Sequence, residues 1–213
     1  MSANISHHIP SEILAAYAAG SLGQAFSLVV AAHVSLCTEC RAELAAHEAA
    51  GGAVLDNMGE ESVSSDLFAR VLDHLDDPVA PEPTPRSREG VFPGPVMDAL
   101  KGRTPRWKAL GGGVKQCLIG GDSDGLSRLL FIPPNQAVPD HGHHGTELTL
   151  VLQGGFSDEV GHFDVGDVEV ADADLDHTPV ADPGPPCIVL AATDAPLKFN
   201  TFLPRLLQPL FGI

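Results

Sequence analysis

His33-Val34-Ser35-Leu36-Cys37-Thr38-Glu39-Cys40 is the stretch around which the chain is organised. On a helix, His33 and Cys37 stand four residues apart and project from one face. Cys40 follows three residues later and can close on the same point. Imidazole nitrogen and thiolate sulfur are the donor mixture that Zn2+ takes, and a closed structural site needs four such donors. Three are local; the nearest candidates for the fourth are His7 and His8, which spacing alone does not separate. A CxxC pair also serves thioredoxin-like redox chemistry, which expects a strand before the motif. Here Ala25 to Ala32 reads as a helix leading into it, and structural zinc is the better reading.

Outward from that stretch the periodicity is helical. Ile13, Leu14 and Tyr17 follow Pro10-Ser11-Glu12, with Ser11 as the expected N-cap and Gly20 as the C-cap. A second helix carries Phe26, Leu28, Val29, Val30 and His33, and a third covers Arg41 to Ala50 and ends at Gly51-Gly52. A fourth, capped by Ser65-Asp66, aligns Leu67, Phe68, Val71, Leu72 and Leu75 on one face. Residues 1–76 are therefore expected to form a small all-α, four-helix domain. A core this small needs a staple, which a zinc site supplies.

From 77 to 95 prolines accumulate and periodicity is lost, so an extended linker is expected to hold two domains apart yet tethered. Beyond it, residues 96–213 show short alternating runs separated by Gly, Pro and Asp, the pattern of an all-β sandwich or barrel. The runs are 107–110, 114–119, 127–132, 147–153, 156–160, 167–171 and 187–192.

A second donor set lies among these runs. In extended chain His141 and His143 point to the same side, Glu147 opens the next strand, and His177 sits in a later turn-rich stretch. Three histidines and a carboxylate suit a divalent first-row metal, Zn2+, Fe2+ or Mn2+, which ligand type alone does not resolve. His144, His162, His47 and His74 read as surface or neighbouring residues, and Cys117 and Cys187 as buried, inert thiols.

The totals narrow the class. With 28 Asp+Glu against 12 Lys+Arg and a net charge of −16, direct nucleic-acid binding is disfavoured and a basic protein partner is favoured. Four cysteines without a disulfide-like pattern point to a reducing compartment. The N-terminal MSANISHHIPSEI shows no secretory signal, and the apolar run near Leu28–Val34 is too short to span a bilayer. A cytoplasmic protein is expected.

These residues also carry a family resemblance. His141, His143, Glu147 and Gly154 resemble the first cupin motif, with Asn135 in place of its first Gly; Gly166 and His177 resemble the second, with Asp172, Asp174 and Ala181 departing from it. The HxxxCxxC of His33, Cys37 and Cys40 with an upstream His resembles the zinc-binding anti-sigma domain. Both in this order, with stretches such as ILAAYAAG, AFSLVVAAH, QAVPDHGH and ELTLVLQG, resemble the ChrR-type anti-sigma factors essentially end to end.

The resemblance implies one zinc site at His8, His33, Cys37 and Cys40 and a second, for zinc or another divalent metal, at His141, His143, Glu147 and His177. It implies a cupin barrel, and a helical domain that binds an extracytoplasmic-function (ECF) sigma factor one to one, wedged between the sigma factor's two domains, and masks it from RNA polymerase. It also implies release of sigma under oxidative, singlet-oxygen-like stress sensed by the cupin, with no catalysis. The competing reading is a cupin enzyme, a dioxygenase or isomerase, in which the metal keeps an open position. That reading leaves the helical His/Cys cluster without a role.

Overall fold

The computed structural model describes residues 5–79, 81–82, 84–195 and 197–199, with backbone only at His143 and 197–199. Helix α1 (Ser11–Ala18) starts after Pro10, whose fixed φ of −56° sets the entry. Pro10 itself holds the N-cap position and no side chain caps the helix. Ser11 Oγ instead meets His47 Nε2 at 3.1 Å, tying α1 to the third helix. Gly20, at φ +67°, ends the segment as expected, with Ser21 N–H donating back to Ala16.

Helix α2 (Gln24–Val34) is buried along two stripes, Ala25/Val29/Ala32 and Phe26/Val30/His33. Such a helix is covered from more than one side. Helix α3 (Thr38–Asp56) begins anew after a break at Ser35–Leu36, so His33 and Cys37 do not share one helix as the spacing suggested. Cys37 is the N-cap of α3, and its Sγ accepts the Cys40 N–H at 3.4 Å. The thiol thus does the work usually given to a hydroxyl or carboxylate. Helix α3 runs past Gly51-Gly52 to Asp56, where Asn57 Nδ2 donates to the Ala53 carbonyl at 2.7 Å.

Helix α4 (Leu67–Asp73) has no buried residue. The expected four-helix domain is therefore corrected: the helical segments form, but only α1–α3 share a core. The described residues of the expected linker are exposed as far as Gly90, although Arg86 N–H already donates to Asp98 Oδ1 at 2.9 Å. Pro93 leads into a short helix, α5 (Gly94–Ala99), not foreseen from the sequence, which buries Val96 completely.

The strands are β1 (Lys108–Gly111), β2 (Val114–Asp122), β3 (Gly125–Ile132), β4 (His141–His143), β5 (Glu147–Gln153), β6 (Gly155–Ser157), β7 (His162–Asp164), β8 (Val168–Ala171), β9 (Asp176–His177), β10 (Val180–Ala181), β11 (Cys187–Thr193) and β12 (Leu197–Phe199). They form a six-stranded sheet, β1-β2-β3-β11-β5-β8, and two three-stranded sheets, β10-β6-β7 and β12-β4-β9. The expected closed barrel is corrected accordingly: among the described residues the hydrogen bonding divides into three sheets.

The large sheet is buried on both faces. Leu129, Leu148, Leu150 and Leu190 join Ile9, Leu14, Val29, Val30 and Val96 in one continuous core. On the opposite face Ile132, Val151 and Val189 pack with Phe156 and Phe163, whose rings stack at 4.9 Å. The strand period of two produces this division: even residues of β5 and β11 face the helices and odd ones face the β interior. Helices and strands thus share apolar packing rather than standing apart. At 0% exposure each, Val29 and Val30 contribute about 1.5–3 kcal/mol apiece through burial.

Candidate metal centres

The ligand atoms of His8, His33, Cys37 and Cys40 all lie within 4.8 Å of one another. His8 Nδ1 is 3.4 Å from Cys37 Sγ and 3.5 Å from Cys40 Sγ. A tetrahedral zinc with bonds of about 2.3 Å to sulfur and 2.0–2.1 Å to nitrogen places those two atoms about 3.6 Å apart. His33 Nδ1 donates to the Gly166 carbonyl at 2.9 Å, so its lone pair sits on Nε2. That Nε2 is buried without a hydrogen-bond partner. An orphaned acceptor of this kind costs about 1–3 kcal/mol unless something occupies it. Burial, first of all, lowers the His33 pKa to about 4, which keeps the ring neutral and able to donate its lone pair. Burial likewise pushes the Cys40 thiol up to about 11.

The two candidates for the fourth donor lie in different surroundings. His8 faces the cysteines. His7 turns the other way: its ring lies 4.4 Å from that of Phe163, and its N–H donates to Asp167 Oδ1 at 2.9 Å.

In the β interior, strand pairing sets His141 opposite His177, and their Nε2 atoms are 3.3 Å apart. Two nitrogens on one tetrahedral ion are separated by about 3.3 Å. His141 Nδ1 donates to the Pro139 carbonyl at 2.9 Å, and His177 Nδ1 donates to Asp158 at 2.7 Å and Glu169 at 3.1 Å. Both rings therefore turn Nε2 inward, an orientation that outer hydrogen bonds commonly fix at metal sites. Glu147 lines the same cavity, and its Oε1 accepts from Thr149 Oγ1 at 2.9 Å. The His143 backbone lies in β4; its side chain is outside the described residues.

Asp158 and Glu169 were not singled out from the sequence. Glu169 lies in the alternating run Asp167-Val168-Glu169-Val170, yet the Glu points inward and Val170 outward. Burial raises its pKa to about 7. Burial alone would lower the pKa of His177, but Glu169 and Asp158 outweigh it and hold it near 9. A divalent cation at Nε2 would take the place of the second ring proton. Asn135, in the position of the cupin motif's first Gly, adopts φ +59°, a left-handed conformation that Asn tolerates. Gly154, at φ +70°, has no room for a side chain: a Cβ would sit 3.0 Å from the Pro186 carbonyl.

One short segment touches both centres. Gly166 accepts from His33, and Asp167 accepts from the backbone N–H groups of Ser6, His7 and Asp164 at 2.7, 2.9 and 2.9 Å. Val168 N–H donates to the His7 carbonyl at 3.1 Å, and Glu169 contacts His177. The other sequence expectations hold on position: Cys117 and Cys187 are buried, and burial pushes the Cys187 thiol up to about 12. His162 is exposed beside Asp164 and Asp182, a solvated cluster.

An inward-facing His/Glu set on stacked antiparallel sheets, beside a His/Cys cluster, marks a cupin-like protein with a helical segment packed on its sheet. A family model described as the ChrR Cupin-like domain matches residues 98–195. The anti-sigma-E factor ChrR of Cereibacter sphaeroides is 50% identical over 211 residues, covering 98% of this chain and 99% of that protein. The chain in the crystal structure of Rhodobacter sphaeroides SigE in complex with the anti-sigma ChrR is matched with a TM-score of 0.79 and 48% identity, over 90% of this chain and 100% of that one. The chain belongs to the ChrR family of anti-sigma factors. Among the described residues no helix is long and apolar enough to cross a membrane.

Proposed function

We propose that this protein is a zinc-dependent anti-sigma factor that sequesters an ECF-type sigma factor in the cytoplasm and releases it under singlet-oxygen-like stress. The observation that carries the reading is the relation, along nearly the whole chain, to an anti-sigma factor whose counterpart was crystallised on its sigma factor. The surface agrees. Phe68, Val71, Leu72 and Leu75 are 73, 52, 47 and 68% exposed on a helix that has no buried residue. Such a face calls for a partner. The net charge of −16 suits a basic, nucleic-acid-binding one.

His8, His33, Cys37 and Cys40 hold zinc as a closed crosslink between the N-terminal strap, α2 and α3. His141, His143, Glu147 and His177 hold zinc or another divalent ion, with Asp158 and Glu169 fixing the His177 ring. Residues 166–169 join the two: a shift of Glu169 at the β site moves the carbonyl that orients His33. The signal therefore crosses through packed backbone rather than along the exposed linker.

The test is capture. Purified protein with its zinc should form a one-to-one complex with its ECF-type sigma factor, block sigma-dependent transcription, and release sigma on exposure to singlet oxygen. Capture that persists after complete chelation of the helical site overturns the zinc role. Turnover of a diketone or thiol with dioxygen uptake overturns the regulatory reading in favour of an enzyme.

A further inference from the structure

The β interior holds one charged group that the proposed regulation does not use. Arg128 is 4% exposed, lines the cavity of the His/Glu cluster, and leaves its Nε and Nη1 buried without a hydrogen-bond partner. A guanidinium is never without its charge in a protein, and burying its N–H groups unpaired is costly. The Glu147 carboxylate acts on it electrostatically but leaves Nε and Nη1 without a hydrogen bond, so two donors remain for an anion that comes to meet them.

Sheet register shows how the cavity is layered. Arg128 pairs with Ala191, Ala191 with Thr149 and Thr149 with Glu169, so these side chains form one rung across the interior. The next rung, two residues further along, is Leu130, Val189 and Val151. Beyond it lie Ile132 and Phe156. The cavity is polar at the rung that carries Arg128 and apolar beyond. Its volume is about 60 Å³, which by the space one water takes admits roughly four to six non-hydrogen atoms.

We propose that this cavity is a binding site for a short-chain monocarboxylate, held by Arg128 with its alkyl end against Leu130 and Val189. A carboxylate matches the guanidinium in charge and shape, and acetate or propionate matches the room. A divalent ion on His141, Glu147 and His177 would face Arg128 within the same cavity. An anion between two cationic groups lowers the energy of both. A dicarboxylate would drive a second charge into the apolar rung. The proposal concerns a ligand and stands apart from sigma capture, which can succeed or fail without it.

Calorimetric titration of the metal-loaded full chain with acetate and propionate tests it, with acetamide and propionamide as neutral shape controls. Each acid should bind one to one, and each amide at least about tenfold more weakly, the difference a charge-assisted hydrogen bond makes. Arg128→Gln should weaken both acids by about tenfold or more. Val189→Phe, which fills the apolar rung, should weaken propionate more than formate. No saturable binding of any of the acids, or amides that bind as tightly as acids, overturns the proposal even if the Arg128 variant fails to fold. Equal affinity in a folded Arg128→Gln protein overturns it as well.

Discussion

Around His33 the donors come from helices α2 and α3 and the segment before α1 and include two thiols; around His177 they come from strands and a turn and include carboxylates but, among the described residues, no sulfur. The first cluster brings four donors within reach of one ion, whereas the second opens on a cavity. A closed set of soft donors suits a crosslink, and an open set on a cavity suits chemistry that comes and goes. On the proposed reading, the same fold carries one centre built to stay and one built to respond. The sharpest way to break that contrast is to remove a thiol. Cys37→Ser or Cys40→Ser should abolish zinc at the helical site and unravel α1–α3, because structural zinc contributes on the order of 10 kcal/mol in small domains. Zinc content, far-UV circular dichroism and sigma capture would all fall together. A variant that loses its zinc yet stays helical would make the first centre as dispensable as the contrast says it is not.

The contrast also needs the two centres to communicate, and Asp167 is where that is exposed to test. Its carboxylate, 1% exposed, accepts three backbone N–H groups from both sides of the interface. Those bonds lower its pKa against the opposing pull of burial. Asp167→Ala should cost about 3 kcal/mol, summed over donors left in a partly buried place, read as a lower denaturation midpoint. A loss below about 1 kcal/mol would mean water serves these groups equally well. By the sign of the shift, this contribution is complete above the ordinary carboxylate range and fades as pH falls through the lowered value. Glu169→Gln is gentler. It keeps the side chain's size, removes a carboxylate from His177, and should weaken metal at the β centre about 10- to 100-fold, roughly 1.4–2.7 kcal/mol, while zinc on the cysteines is untouched. Equal weakening at both centres would show them to be one thermodynamic unit.

Much of this was legible in the residues. HxxxCxxC marked three of the four residues whose donor atoms lie within 4.8 Å of one another, because their spacing is local; of the β set, His141 and His177 meet at 3.3 Å, Glu147 lines the same cavity, and the His143 side chain is outside the described residues. Glu147–Gln153, by its alternation, and Cys187–Thr193, by its continuous apolar run, were found; β7, β9 and β10, each of two or three residues, carry too little pattern to register. Glu169 and Arg128 escaped because a charged residue in a strand reads as the solvent face, and nothing local reports that both faces of this sheet are covered. The packing of α2 on the sheet escaped for a related reason. A helix apolar on two stripes looks like a small self-contained core until the sheet that fills its second stripe is in view.

The smallest effect on folding comes from the contrast between helices α2 and α4. Helix α2 spends its apolar stripes inside the molecule, whereas α4 leaves Phe68 and Leu72 in solvent. An exposed Phe contributes nothing to the core, so Phe68→Ser and Leu72→Ser should shift stability by no more than about 0.5 kcal/mol. The same changes should weaken sigma capture by about tenfold or more each, since large apolar side chains at the centre of a helix-in-groove contact carry most of its energy. Denaturation and capture measured on the same variants separate the two quantities. Unchanged capture would move the sigma-binding surface off α4, and a large loss of stability would place α4 in a core that this structure does not contain.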